Sequence, residues 1–270
     1  MRTDPMRPPG SPRDEVPPPP RRLPVFDDEF HDGIDERRWI PAYLSHWTTA
    51  RRAAARTLSV ADGLELRIES DQPDWRAEDA PLRVSNLQTG AFSGPVGSPR
   101  GTHRHRGDGL LVRTHTPTRL LFAPSRGRIE ITLSASTDPG CMTAAWLVGT
   151  EHRAPTEAGE ICIFEIDAAA VGMPTTVRTG VKSHHDPRLV TEMREIEVPV
   201  DAAAAHTWTV IWDGRETLIG CEGRLVGRWA QSPSYPVFLM LDLFELGGSG
   251  GAYPKRATLH RVRGWDVPYG

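Results

Sequence analysis

The sequence contains only three cysteines in 270 residues, namely Cys141, Cys162 and Cys221. Three thiols cannot all pair within one chain, and their spacing does not match the C-x-x-C pattern of redox or zinc sites. We therefore expect reduced thiols and a reducing compartment. The sequence also lacks an apolar run of membrane-spanning length. Residues 1–24 lack the apolar core of a secretory signal, so a cytoplasmic location is the default expectation, with export by another route left open.

The sequence has no excess of positive charge, since its formal net charge is −3 and its pI is about 6.4. Without a basic field, neither nucleic acid nor a membrane surface is an expected partner. Basic residues concentrate only locally, between Arg100 and Arg106. His103 and His105 in this stretch have the spacing of metal ligands on a strand. Their arginine and glycine neighbours favour a solvated loop instead, and we predict no metal there.

The chain divides into a proline-rich head and one large domain. Residues 1–24 have little to bury, which predicts a disordered or extended tail. Residues 25–270 are enough for a single domain with a real core. Many short strands separated by turn residues, without a long amphipathic helix, predict an all-β antiparallel sandwich. The predicted strands include Gly63–Ser70, Val84–Phe92, Arg128–Ala135, Thr143–Val148, a segment around Gly180, Thr207–Trp212, Leu218–Cys221, Arg224–Trp229, Val237–Leu246 and Thr258–Trp265.

One short apolar segment, 158–167, carries acidic residues where an ordinary buried strand would have none. Ionised carboxylates are costly to bury, so their presence among isoleucines indicates a use. In a regular strand Glu160 and Cys162 share one face, and Glu165 lies on the other. One extra residue, a β-bulge, would return Glu165 to the face of Glu160. Two glutamates brought together in this way would lie about 5 Å apart, as in a retaining glycosidase.

The segment Glu160-Ile161-Cys162-Ile163-Phe164-Glu165 resembles the E-x-D-x-x-E signature of glycoside hydrolase family 16. Other parts of the chain resemble the family's strands in the same order, so that the resemblance covers about residues 25–267. These parts are Asp28–Asp32 with Trp39, Ser85–Gly90, Gly127–Glu130, Ala144–Leu147 and His206–Gly214. Each one alone is a weak signal, and their order and spacing make the signal strong.

The resemblance implies a concanavalin A-like jelly roll that hydrolyses O-glycosidic bonds of a β-linked polysaccharide, of glucan or galactan type, with retention. It assigns Glu160 as the nucleophile and Glu165 as the acid/base. Cys162 stands where the family has an assisting aspartate, and a neutral thiol cannot supply that charge. Two further interpretations stay open: a transglycosylase, and a carbohydrate-binding protein on the hydrolase fold that has lost its chemistry.

Sugar rings stack on flat aromatic faces, which makes tryptophans the candidate substrate contacts. Trp146 matches the tryptophan that the family places beside the cleft. Trp47 and Trp75 lie in polar loops, where they could form a rim platform or belong to the core. Lys182 stands where the family often has a histidine on the strand after the catalytic one. His184, just beyond it, is a candidate substrate contact, although a solvated loop position is the alternative.

Two other signals are set aside. Residues 247–251 fit the G-x-S-x-G pattern of serine hydrolases, but no helix follows them, as that motif requires. Members of the family often bind a structural calcium through an acid near the end of the chain, where this sequence has His260. A structural calcium is therefore possible but not favoured, and no other cofactor or metal is predicted. The predicted partner is a carbohydrate, bound by a monomer.

Overall fold

The computed structural model describes residues 15–105, 109–247 and 250–266, which are nearly all strands and loops. The helical segments are single turns, at Ser45–Trp47, Ala50–Ala53, Ala77–Asp79 and Ala168–Ala170. In chain order the strands β1 to β16 are Phe26–Asp28, Arg56–Val60, Gly63–Ile68, Leu82–Gln88, Gly90–Ala91, Arg119–Leu120, Gly127–Ser134, Cys141–Gly149, Glu160–Asp167, Thr175–Lys182, Glu192–Val198, His206–Trp212, Thr217–Cys221, Arg224–Trp229, Val237–Leu246 and Lys255–Trp265.

Two antiparallel sheets form a sandwich, as predicted. The eight-stranded sheet has the order β14-β13-β12-β7-β16-β3-β2, with β1 also paired to β16. The six-stranded sheet has the order β11-β10-β9-β8-β15-β4, and β5 and β6 form a separate pair. The strand that carries the two glutamates, β9, thus lies inside the six-stranded sheet, with β8 and β10 on its two sides.

The core between the sheets follows from alternation along the strands. On β3, Leu64, Leu66 and Ile68 are buried, while Glu65 and Arg67 between them point away from the core. Each fully buried side chain of this kind contributes about 1.5–3 kcal/mol of hydrophobic free energy. Several tryptophans fill the centre of this core, namely Trp39, Trp208, Trp212 and Trp229. On β9, Ile161, Ile163, Phe164 and Ile166 pack into this core, so the remaining side chains of the strand lie on the outward face of the sheet.

The sequence prediction missed two strands at the ends of the sheets. Arg56–Val60 (β2) ends the eight-stranded sheet and Glu192–Val198 (β11) ends the six-stranded sheet. Both are largely exposed. Edge strands bury little apolar surface and often carry charges that prevent pairing with other chains. For this reason they lack the hydrophobic pattern by which the inner strands were found. The inner strand Val237–Leu246 has the predicted bounds.

The described part of the proline-rich head begins on the outside of the eight-stranded sheet. Val16 is buried against Ile211 and Leu218, and its N–H donates to the carbonyl of Gly223 at 3.0 Å. Residues 1–14 lie outside the described residues, and so do Gly248 and Ser249 of the discounted G-x-S-x-G pattern. Within the described ranges, every helix is too short and too polar to cross a membrane.

Candidate active site

A β-bulge in β9 brings the two glutamates to one face of the sheet. The pairing of β9 with β8 passes from Cys162 directly to Phe164, so Ile163 is an extra residue. The pairing with β10 is irregular at the same level. The extra residue reverses the alternation, and Glu160 and Glu165 therefore both lie on the outward face of the six-stranded sheet.

The two carboxylates are close together and share one ammonium group. An oxygen of Glu160 and an oxygen of Glu165 lie within 4.8 Å of each other. Lys182 Nζ, on β10, is 2.9 Å from Glu160 Oε1 and 2.7 Å from Glu165 Oε1. The side chain of Glu160 is only 1% exposed and that of Glu165 is 11% exposed. Carboxylates this close fit the roughly 5–5.5 Å between the carboxyl groups of retaining glycosidases better than the 6.5–9.5 Å of inverting ones.

Glu160 is held as an anion although it is buried. Burial by itself would raise the pKa of Glu160, but the Lys182 ammonium and a hydrogen bond with His184 hold it well below its usual value. His184 Nε2 is 2.8 Å from Glu160 Oε2, and His103 Nδ1 is 3.6 Å from the same oxygen. An ionised, desolvated carboxylate with fixed neighbours is the state that a nucleophile requires.

Glu165 contacts two cations. Its Oε1 accepts a hydrogen bond from Lys182, and its Oε2 accepts one from Arg178 Nε at 3.2 Å. Arg178 also forms an ion pair with Asp167, and this bond, against the smaller effect of burial, raises the pKa of the guanidinium. Glu165 is more exposed than Glu160, and the side chains of Lys182 and Arg178 beside it are 25% and 37% exposed.

Cys162 lies between the two glutamates and is fully buried. Its Sγ donates to the carbonyl of Arg178 at 3.6 Å. Burial, together with the nearby charge of Glu165, raises the pKa of this thiol well above its usual value, so the thiol is neutral. Cys162 therefore adds no charge beside the two carboxylates, which are joined instead by the positive charge of Lys182.

His103 belongs to the site, which corrects the prediction that His103 and His105 are solvated. The His103 side chain is 9% exposed, and burial lowers its pKa to about 3, so the imidazole is neutral. Its backbone N–H donates to Glu151 Oε1 at 2.6 Å, which fixes the loop. His105 Nε2 lies 3.2 Å from Asp79 Oδ2 in a separate, partly buried contact. The arginines around both residues gave the wrong signal, because this loop folds back over the sheet.

Trp146 lies at the site, as the resemblance implies, while the other two candidate tryptophans do not. The Trp146 ring stacks on His103 at 6.0 Å between centroids, and Lys182 Nζ lies 5.4 Å from its centre. Trp47 and Trp75 are fully buried, so neither offers a face to a ligand. Their indole N–H groups donate to the carbonyls of Thr102 and Tyr43, each at 3.0 Å. The polar residues next to them in sequence suggested a rim position. In the structure, backbone carbonyls satisfy their indole N–H groups, so both rings can be buried.

A lid of loop residues covers part of the outward face of the six-stranded sheet. These residues pack on β4, β15 and β8, and they are Tyr43, Leu44, Trp47, Trp75, Leu110 and Val112. The cover ends beside Glu160, where the His184 and Lys182 side chains are each 25% exposed. Access to the two carboxylates is therefore from the side of β9, β10 and β11.

Two residues, Arg178 and Asp242, escaped the sequence prediction although a signal was present. Arg178 and Lys182 have even spacing on β10, which places both on the face of Glu165. Asp242 is an acid inside the apolar strand Val237–Leu246, the same signal that identified the glutamates. It is buried beside Asn86, whose Nδ2 donates to it at 2.8 Å, and burial raises the pKa of Asp242 well above its usual value.

The fold is shared with solved glycosidase structures. No protein-family model matches the sequence, and no curated protein matches it. A GlcNAcα1-4Gal releasing endo-β-galactosidase from Clostridium perfringens superimposes with a TM-score of 0.78 at 22% identity, over 92% of this chain and 65% of that chain. The chain therefore spans slightly less than two thirds of that protein.

Two further structures cover the domain more evenly. A non-specific endo-β-1,3(4)-glucanase of glycoside hydrolase family 16 matches with a TM-score of 0.64 and 16% identity, over 93% of this chain and 97% of the other. A Crh5 transglycosylase matches with a TM-score of 0.57 and 14% identity, over 93% and 88%. The predicted fold is confirmed: the chain has the jelly-roll fold of glycoside hydrolase family 16.

Proposed function

We propose that this protein is a retaining glycoside hydrolase that cleaves a β-linked glycan. The observation that carries the proposal is the pair of glutamates on one face of the jelly roll, with carboxylate oxygens within 4.8 Å of each other. Glu160 attacks the anomeric carbon while Glu165 gives a proton to the leaving oxygen. Water then attacks the glycosyl-enzyme, Glu165 takes a proton from it, and Glu160 is released as a carboxylate.

The other site residues position this pair and form the wall of the cleft. His184 and Lys182 fix the Glu160 carboxylate, and Trp146, with 6% of its surface exposed, packs beside Lys182. Glu165 must release its contacts with Lys182 and Arg178 to carry a proton, and both of these cations are partly exposed to solvent. The lid does not cover the outward face of β9, β10 and β11, and we place the glycan there. The similar proteins named above include an endo-β-galactosidase and an endo-β-1,3(4)-glucanase, so glucans and galactans are the first substrates to test.

The proposal predicts hydrolysis with retention of anomeric configuration. Reducing-sugar release is measured on a panel of β-glucans and β-galactans, both as polymers and as short oligosaccharides, because the lid covers part of the sheet face that carries the glutamates. We expect cleavage of one class, with the β-anomer appearing first in proton NMR spectra. An initial α-anomer would contradict the two-glutamate mechanism, and release from none of the glycans would contradict the hydrolase itself.

A carbohydrate-binding protein without turnover is a second candidate, favoured by the neutral Cys162 and by the ammonium that bridges both glutamates. The two functions are separated by Cys162→Asp, which introduces an acid at the position where the resemblance implies one. If the wild type cleaves a glycan, the hydrolase proposal holds. If only Cys162→Asp cleaves, while the wild type binds the same glycan in calorimetry, binding is the function of the natural sequence.

Transglycosylation is the other outcome of the same first step, and the similarity to a transglycosylase favours testing it. A sugar hydroxyl would then take the place of water, with Glu165 accepting its proton. Glu160 is almost completely shielded from water, which is compatible with such a transfer. Mass spectrometry of the same digests distinguishes the two, because transfer yields products longer than the substrate and hydrolysis yields only shorter ones.

A further inference from the structure

We propose that His103, His184 and Glu160 together form a binding site for one transition-metal ion of the Zn²⁺ type. Occupancy of this site withdraws Glu160 from reaction. The first statement depends only on the three side chains. The second rests on the proposed function, and the experiment below measures the two separately.

The three ligand atoms already have nearly the separations that the metal requires. Glu160 Oε2 lies 2.8 Å from His184 Nε2 and 3.6 Å from His103 Nδ1, and the ligand atoms of all three residues lie within 4.8 Å of one another. A tetrahedral Zn²⁺ with bonds of about 2.0–2.1 Å places its ligands about 3.3 Å apart. Side-chain shifts of less than about 1 Å would therefore complete the site.

The chemistry of the donors selects the class of ion. Two imidazole nitrogens and one carboxylate oxygen are the ligands of open zinc sites, and hard cations such as Ca²⁺ and Mg²⁺ prefer oxygen alone. His103 is neutral, so its nitrogen lone pair is available to a metal. His184 is 25% exposed, which gives the ion a route from solvent and leaves a fourth position for water.

The position of Lys182 indicates which of two neighbouring groups of possible ligands can bind a metal ion. Glu160, Cys162 and Glu165 also bring their ligand atoms within 4.8 Å of one another, but the Lys182 ammonium already contacts both carboxylates of that cluster. A divalent cation would be repelled from that position. The ammonium contacts Oε1 of Glu160, whereas the proposed ion binds Oε2, and Glu165 offsets the ammonium charge at 2.7 Å. The site with the two histidines is therefore the one that can accept a metal.

The test is a titration of the full-length protein with Zn²⁺, followed by calorimetry, and with Co²⁺, followed by visible absorption. The ligand variants are His103→Asn and His184→Asn. Both histidines have positive φ angles, 53° and 45°, and asparagine tolerates this conformation, so the variants should fold. His185→Asn is the matched control, because His185 is exposed and adjacent to His184. Circular dichroism checks the fold of each variant.

We expect one equivalent of Zn²⁺ bound by the wild type and by His185→Asn, with a tetrahedral Co²⁺ spectrum, and an affinity at least about tenfold weaker in each ligand variant. Equal affinity of His184→Asn and the wild type, or no binding by the wild type, would overturn the site. Where the wild type has turnover, Zn²⁺ should inhibit it and should inhibit His184→Asn less. Binding without inhibition would overturn only the withdrawal of Glu160, and a wild type without turnover on any glycan would count against the proposed function and not against the metal site.

Discussion

Glu160→Gln is expected to lower kcat on the cleaved glycan by on the order of 10⁴-fold or more, since an amide cannot form the glycosyl-enzyme. Glutamine has nearly the shape of glutamate, and its oxygen can keep a contact with Lys182 or His184, so binding of the glycan should be retained. The loss should therefore appear in kcat, with the dissociation constant from calorimetry nearly unchanged.

A second variant distinguishes a lost nucleophile from a disturbed site. Glu160→Ala leaves space beside the anomeric carbon, and added azide can attack there in place of the carboxylate. With Glu165 still protonating the leaving oxygen, the expected product is an α-glycosyl azide. Glu36→Gln is the control, because Glu36 is an exposed acid in a turn. Activity of Glu160→Gln within tenfold of the Glu36→Gln control would show that Glu160 is not the nucleophile.

Lys182→Met is expected to lower the free energy of unfolding by about 3 kcal/mol at pH 7. Methionine has a similar length and no charge, so the main change is the loss of the ammonium, including its contact with the Trp146 ring at 5.4 Å. Removing one partner of a buried ion pair leaves an uncompensated charge, which typically costs about 3–5 kcal/mol. Glu160, at 1% exposure, is the charge left behind, and we take the lower value because Lys182 is 25% exposed.

The contributions of Glu160 and Lys182 to the free energy of unfolding depend on pH in opposite directions. The pKa of Glu160 is lower in the folded protein than the usual 4.5, so its contribution is fully present above about pH 4.5 and is lost as the pH falls through the folded value. Burial alone would lower the pKa of Lys182, but the charge of Glu160 and the other neighbours raises it above 10.5. That contribution is fully present below about pH 10.5 and is lost as the pH rises through the folded value.

Urea unfolding at pH 7 and at pH 3 checks the statement about Glu160. The difference between the wild type and Lys182→Met should shrink at the lower pH. Without the ammonium, burial raises the pKa of Glu160, so in the variant Glu160 is protonated at pH 3 and the uncompensated charge is removed. Arg228→Met, which breaks an exposed ion pair with Glu216, should change the free energy of unfolding by less than about 1 kcal/mol. A Lys182→Met difference that stays the same at both pH values would show that the ammonium does not stabilise the Glu160 carboxylate.

The sequence contained enough information to predict the sandwich and the strand with the two acids. Alternation over a few residues, as in Leu64, Leu66 and Ile68, reports which side of a strand is buried, and this signal is local. Acids inside an apolar run are equally visible, because burying them has a large cost that a strand accepts only for a reason. Glu160 and Glu165 were identified in this way, and the same reasoning applied to Asp242 would have found it.

The surroundings of these acids were decided by tertiary structure alone. His103 and Trp47 come from loops far from β9 in sequence, and Lys182 joins the two carboxylates from the neighbouring strand. No short-range pattern specifies which sheet face a loop will cover, since that depends on contacts made all along its path. The sequence thus determined that two carboxylates stand in a buried strand. The folded chain determined that they share an ammonium and that two histidines adjoin one of them. It also determined that Trp47 and Trp75, for which a rim and a core position were both open, are buried in the lid.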